Sequence, residues 1–365
     1  MTDTQKNVQA VIDELVESGT ERGVQVAVFK SGEQIVDAVA GVADPATGRP
    51  FTSDTPVYVT STGKGMITTV AHILAERGQV DFDAPIAELW PEFGAHGKDK
   101  ATLRHALTYR LGVPGVPLDT TAADIADWQG MCERIAAATP WWEPGTKMGY
   151  HPQTFMYVVG EVARRATGKT ISELLRETVA EPLGIANELF LALPESELPR
   201  LAVIEDPEGP AMELPPEVMA QIPFFRVVDG YTAAPLQGLP DAAFSNRADV
   251  LTSDAGATAT ARALATMYDA LLAGRLISPE RLAEATSPQV SGLDETTGAP
   301  ATWGLGYAVG LTQTITSQSV FGYGGSGGTA GFADRASGLS IGITKNRLGM
   351  GDPFETVDRI AQVIL

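Results

Sequence analysis

Residues 61–78 read STGKGMITTVAHILAERG, and the spacing of their apolar positions decides how the middle of the chain is built. Met66, Ile67, Val70, Ile73 and Leu74 recur at helical intervals and Gly78 supplies a stop, so the run predicts a helix from Thr62 to Arg77. Ser61 then stands at its amino end, with Lys64 one turn further along the same face. A serine hydroxyl needs a base to become a nucleophile. A lysine, ordinarily near pKa 10.4, can serve once burial or positive neighbours lower that value. The helix dipole favours negative charge developing at this end. With 16 serines and 8 lysines in the chain, chance gives on the order of 0.3 such pairs. A helix cap followed by a solvated lysine therefore stands as the plainer reading of the motif by itself.

Outward from this helix the two ends of the chain turn β-like. GVQVAVFKSGEQIVDAVAGVAD (23–44) forms two alternating stretches around Ser31-Gly32, after a helical run through Val8, Val11, Ile12, Leu15 and Val16. Trp303 to Gly310, Gln318 to Tyr323, Thr329 to Asp334 and Leu339 to Lys345 read as strands, with a last helix from 353. Between them helices are expected near 102–109, 122–138, 153–167, 170–179 and 258–273, punctuated by Pro114-Gly115 and Pro144-Gly145. Residues 194–245 carry many prolines, among them Pro210 and Pro240, around apolar pairs such as Phe224-Phe225, and are expected to form an irregular pocket wall.

Composition removes several classes of function. Lys and Arg number 26 against 45 Asp and Glu, a formal charge of −19 that repels nucleic acid and anionic membrane surfaces. Cys132 is the single cysteine, and His72, His96, His105 and His151 show no metal-binding spacing, so neither a disulfide nor a metal is indicated. The polar start MTDTQKNVQAVIDELVESG lacks the pattern of a secretory signal, and no run approaches 18 uninterrupted apolar residues, so a cytoplasmic location is expected.

Several segments agree with Ser61 and Lys64. They are TLRHALTYRLGVPG from Thr102; Glu143-Pro144-Gly145-Thr146 leading to Gly149-Tyr150-His151; VVGEVARRATGKTISELLRETVAEPLGI; WGLGYAVG; and FGYGGSGGTAGFADRASG. From about residue 25 to 347, and in this order, the chain resembles the serine β-lactamase and penicillin-binding-protein-like superfamily. It is most similar to the carboxylesterase branch related to class C β-lactamases. The expected fold is α/β (α+β): an antiparallel sheet flanked by terminal helices, from residues 1–58 and 300–365, with a largely helical region, 59–299, inserted. The site would lie at their junction.

The resemblance implies that the phenol of Tyr150 sits beside Ser61 and Lys64 as the third catalytic group. Pro152 stands where the family usually has an asparagine, so that side-chain amide is missing. Without the resemblance Tyr150 reads as an ordinary half-buried tyrosine. Tyr323-Gly324-Gly325 matches the family's inner-strand Lys-Thr-Gly or His-Gly-Gly element, with the glycines leaving room for substrate along the strand. The backbone NH groups of Ser61 and Ser326 would form the oxyanion hole. By itself the glycine-rich run reads equally as a hairpin turn. His151 is a candidate substrate contact beside the tyrosine; His105 and His72 read as packing residues. Trp141, Trp142, Trp303, Phe224, Phe225 and Tyr231 are candidate pocket aromatics.

The activity implied is hydrolysis of a small-molecule carboxylic ester through an acyl-enzyme on Ser61, with no cofactor. Transfer of the acyl group to an amine or alcohol of a natural product and weak β-lactamase or peptidase activity are the alternatives. A catalytically silent binding protein using the same cleft is opposed by the retention of Ser61, Lys64 and Tyr150 together.

Overall fold

The structure is a computed structural model and describes residues 2–207, 215–219, 221–235, 241–349 and 352–365. Five helices matter to the site: α1 (Asp3–Glu17), α2 (Gly63–Glu76), α3 (Thr154–Thr167), α4 (Ala261–Leu272) and α5 (Glu355–Ala361). The central sheet, nine strands among the described residues, consists of β1 (Gly23–Lys30), β2 (Glu33–Asp44), β3 (Arg49–Pro50), β4 (Val290–Leu293), β5 (Pro300–Trp303), β6 (Ala308–Val309), β7 (Val320–Gly324), β8 (Ala330–Asp334) and β9 (Leu339–Lys345). Its order is β4-β5-β6-β7-β8-β9-β1-β2-β3, and neighbouring strands pair antiparallel. Distant segments therefore meet in the middle, where Val24 faces Lys345 and Lys30 faces Leu339.

Alternation along β1 explains why both faces of this sheet are covered. Val24, Val26 and Val28 are buried with Val8 and Ile12 of α1 and with Val357 and Ile360 of α5. Ala27, on the opposite face, packs with Ala261 and Ala265 of α4. That approach is close: a Cβ on Gly342 of β9 would lie 2.0 Å from the Ala261 carbonyl oxygen, so only glycine fits. Ser31 and Gly32 close the β1–β2 hairpin with φ of 54° and 84°, both positive, as a tight two-residue turn requires.

Helix α2 is buried from Gly63 to Leu74, on every side, and forms the floor between the sheet and the other helices. Its polar residues are all engaged. Thr68 Oγ1 donates to the Gly306 carbonyl at 3.0 Å, Thr69 Oγ1 pairs with the Tyr307 hydroxyl at 2.8 Å, and His72 Nε2 meets the Leu305 carbonyl at 2.8 Å. These three contacts correct one expectation. The run Trp303 to Gly310 is two strands, not one, because the Gly304–Tyr307 segment leaves the sheet to serve α2, turning at Gly306 with φ 85°.

Other boundaries shift for local reasons. The 122–138 helix breaks in two at Asp127, whose side chain accepts the Gly130 amide and caps Trp128–Ala137. Residues 170–179 begin as the α-helix Ile171–Leu175 and continue through the π turn Arg176–Ala180. Residues 257–259 are strand, and α4 starts only after the Thr260 cap. Within 194–245, Pro210 and Pro240 lie outside the described residues. The segment is also less irregular than expected: Val227–Val228 and Tyr231–Thr232 turn at Asp229-Gly230 and add to Val116–Pro117 as a small sheet. Among the described residues no helix is long and apolar enough to cross a membrane.

Candidate active site

A short 3-10 turn, Thr60–Thr62, leads from the strand Val57–Tyr58 into α2 and sets Ser61 at the helix mouth. Lys64 follows as the second helical residue, and its Nζ lies 2.8 Å from Ser61 Oγ. From the far side the Tyr150 hydroxyl donates to the same Oγ at 2.8 Å, while Lys64 Nζ sits 5.1 Å over the Tyr150 ring. Burial governs the electrostatics. Lys64 is 1% exposed, and loss of hydration lowers its pKa to about 7. The Tyr150 phenol is pushed well above its usual value, chiefly by burial, against the hydrogen bond to Ser61 and with the Asp294 carboxylate adding to the rise.

Strand β7 runs past this group and ends in a glycine turn bound to the serine segment. Thr62 Oγ1 meets Thr329 Oγ1 at 2.8 Å, and Thr329 Oγ1 donates to the Val59 carbonyl at 2.9 Å. Ser326, exposed at the tip, faces a cleft of about 400 Å³ that also reaches Ser61, Lys64, Tyr150 and Tyr323. Its walls are largely apolar. Among the described residues that line it, Lys64 is the only cation, while Asp241 and Asp294 are acidic.

The family model described as Beta-lactamase matches residues 8–364. The chain belongs to the beta-lactamase family. It is 35% identical over 338 residues to the esterase/beta-lactamase LipL of Mycobacterium tuberculosis, covering 89% of this chain and 77% of LipL. It is 27% identical over 374 residues to the esterase EstB of Burkholderia gladioli, covering 95% and 92% of the two chains. The crystal structure of a family VIII carboxylesterase superposes with a TM-score of 0.86 at 30% identity, over 99% of this chain and 97% of that one.

Not every residue singled out in this beta-lactamase-family sequence reaches the cleft. His151 is 2% exposed and turned into the protein: its Nε2 accepts the Val113 amide at 3.1 Å and its Nδ1 meets the Gly149 carbonyl at 2.6 Å. Burial, only partly opposed by that Gly149 contact, holds its pKa down to about 3, so it is a neutral brace and not a substrate contact. His105 Nδ1 accepts the Thr102 amide and caps a helix, and His72, lowered to about 4 by burial, braces α2.

The two glycines after Tyr323 let the backbone approach its neighbours closely. A Cβ at Gly325 would lie 2.3 Å from Thr60 Oγ1, and one at Gly324 would lie 2.3 Å from the Phe354 ring. In the Cβ direction the space beside them is taken by the Phe354 ring and by Thr60. Gly324 lines the cleft edge and Gly325 lets β7 close on the serine turn. Tyr323 does line the cleft, 2% exposed, with its hydroxyl lacking a partner among the described residues.

Of the expected aromatics, Trp303 and Phe224 line the cleft. Trp142 packs edge-on against His151, Trp141 lies under Arg226, Phe225 borders a separate small pocket, and the Tyr231 hydroxyl reaches the Arg134 carbonyl. Sequence reading missed Asp294, which lines the cleft and accepts the Tyr150 backbone amide at 2.8 Å. The only signal was an Asp-x-Thr-Thr-Gly turn between two strand-like runs. Among the described residues no group of three or more His, Cys, Asp or Glu is placed to hold a metal ion.

Proposed function

We propose that the chain is a serine carboxylesterase acting on small neutral esters through an acyl-enzyme on Ser61. The observation that carries this is the convergence of Lys64 Nζ and Tyr150 OH on Ser61 Oγ, each at 2.8 Å. An amine with a pKa near 7 is neutral in a large fraction of molecules at physiological pH, so it can take the Ser61 proton as Oγ bonds to the ester carbonyl carbon. The oxyanion that forms is received by the backbone NH groups of Ser61 and Ser326. As the carbonyl re-forms, the C–O bond to the alcohol breaks and the Tyr150 hydroxyl protonates the departing oxygen, Lys64 returning its proton to the phenol. Water, deprotonated by the same pair, then releases the acid and restores Ser61.

The lining of the cleft supports neutral substrates. A substrate carboxylate would find Lys64 already engaged with Ser61 and two acidic side chains nearby. Forgoing a charge-assisted hydrogen bond costs about 1.5–3 kcal/mol, which disfavours penicillins and cephalosporins relative to uncharged esters. The names of LipL, EstB and the family VIII carboxylesterase agree with an ester substrate. The test is direct: incubation with a fluorophosphonate should add one adduct mass to the peptide containing Ser61, and Ser61→Ala should lose both the adduct and ester turnover. Labelling at another serine with Ser61→Ala still active would overturn the assignment.

A further inference from the structure

We infer that Asp294 is a positioning residue for Tyr150, holding the tyrosine's main chain so that its hydroxyl bears on Ser61. This rests on the catalytic roles proposed above and extends them to a residue outside the Ser-Lys-Tyr group. Tyr150 lies in a stretch, 138–153, that contains neither helix nor strand, so no regular ladder fixes it. Its own amide donates to Asp294 Oδ2 at 2.8 Å. The neighbouring Gly149 amide donates to the Tyr109 carbonyl at 2.9 Å, and the Met148 carbonyl accepts the Glu295 amide at 2.9 Å.

Asp294 is itself over-determined. It is 1% exposed, and its other oxygen, Oδ1, accepts the amides of Thr296 and Thr297, both at 2.9 Å. The turn carrying it presses on the tyrosine segment, since a Cβ at Gly149 would lie 2.7 Å from Thr296 Oγ1. The same hairpin, β4–β5, grips Tyr150 a second time. Trp303 at the end of β5 stacks on the Tyr150 ring at 5.9 Å and 9°, and the Tyr109 ring, 5.2 Å from that of Tyr150, packs against the same indole at 4.3 Å. One hairpin thus fixes the backbone through a carboxylate and the phenol through an indole.

The acceptor has to be a carboxylate. Three NH groups converge on it, and a carboxylate offers acceptors on both sides. An Asn would turn an NH₂ either to the Tyr150 amide or to the Thr296 and Thr297 amides, donor against donor. Loss of Asp294 should therefore let the hydroxyl drift, and a misplacement of about 1 Å costs about 100-fold in rate. The step that suffers is proton donation to the departing oxygen, which a poor leaving group needs and a good one does not.

Steady-state kinetics on phenyl acetate and 4-nitrophenyl acetate test this with Asp294→Ala and the size-matched Asp294→Asn. The expected result is a loss in kcat/KM, which reads acylation and not the acetyl-enzyme that both esters share, of about 100-fold for phenyl acetate and at least about tenfold larger than for 4-nitrophenyl acetate. In a Tyr150→Phe background the same Asp294→Asn change should alter kcat/KM by less than about twofold, because its effect runs through the phenol. Equal losses for both esters, or a full loss surviving in the Tyr150→Phe background, would make Asp294 merely structural and overturn the inference. Absence of Ser61 labelling in the unsubstituted protein would instead remove the catalytic reading beneath it, so the two failures are distinguishable.

Discussion

Burying an ammonium is costly, and Lys64 meets that cost by giving up its proton near neutrality. In the proposed role of base it sets the acid limb of activity: kcat/KM for a neutral ester should rise with pH and level off above about 7. Its folded pKa lies below the unfolded value of about 10.4, so between those values the unfolded chain binds the extra proton and stability climbs with pH. Below about pH 7 both states carry the charge and the penalty is fully present. Lys64→Met should therefore be inactive yet more stable, with a Tm gain over the unsubstituted protein that is larger at pH 6 than at pH 10. A gain independent of pH would contradict the buried-amine picture. Ser61 and Lys64 could be read because their chemistry lies within one helical turn. Tyr150, 89 residues from Ser61, carried no local signature and was legible only through resemblance, while Asp294, 144 residues from Tyr150, looked like any turn aspartate.

Among the elements, the β5–β6 connection shows where pattern reading fails. WGLGYAVG alternates as a strand should, yet the Leu305 to Tyr307 backbone and hydroxyl go to Thr68, Thr69 and His72 of α2 instead of to a neighbouring strand. The polar residues of a buried helix announced that partners were needed without saying which. Gly306 is the point of greatest demand: its φ is 85°, and a Cβ there would lie 2.5 Å from Thr68 Cγ2. Gly306→Ala should cost about 2–5 kcal/mol from the left-handed backbone and the overpacking together, read as a lower urea midpoint with an unchanged slope. A midpoint unmoved by the substitution would show that the turn relaxes freely. The terminal strands were legible because alternation there does match the sheet, as in β1.

For the whole molecule, the charge of −19 acts at long range on anything approaching the cleft. Raising the salt from 10 mM to 150 mM shortens the screening length from about 30 Å to about 8 Å. The kcat/KM for a monoanionic ester should rise over that range while that for an uncharged ester of the same shape stays level. A flat response for both would mean that local groups, not the overall field, set the discrimination. The same scale holds the feature that ties the fold together, the pairing of β1 with β9. Ribosomes add residues at roughly 5–20 per second, so after β1 emerges its partner follows only some 15–60 s later. Through that interval the nascent chain carries Val24, Val26 and Val28 on a strand with one open edge, the kind of surface that seeds aggregation. The arrangement that joins both ends of the polypeptide into one sheet therefore makes translation itself its most exposed moment, and the yield of folded enzyme a contest between β9's arrival and self-association of the unfinished chain.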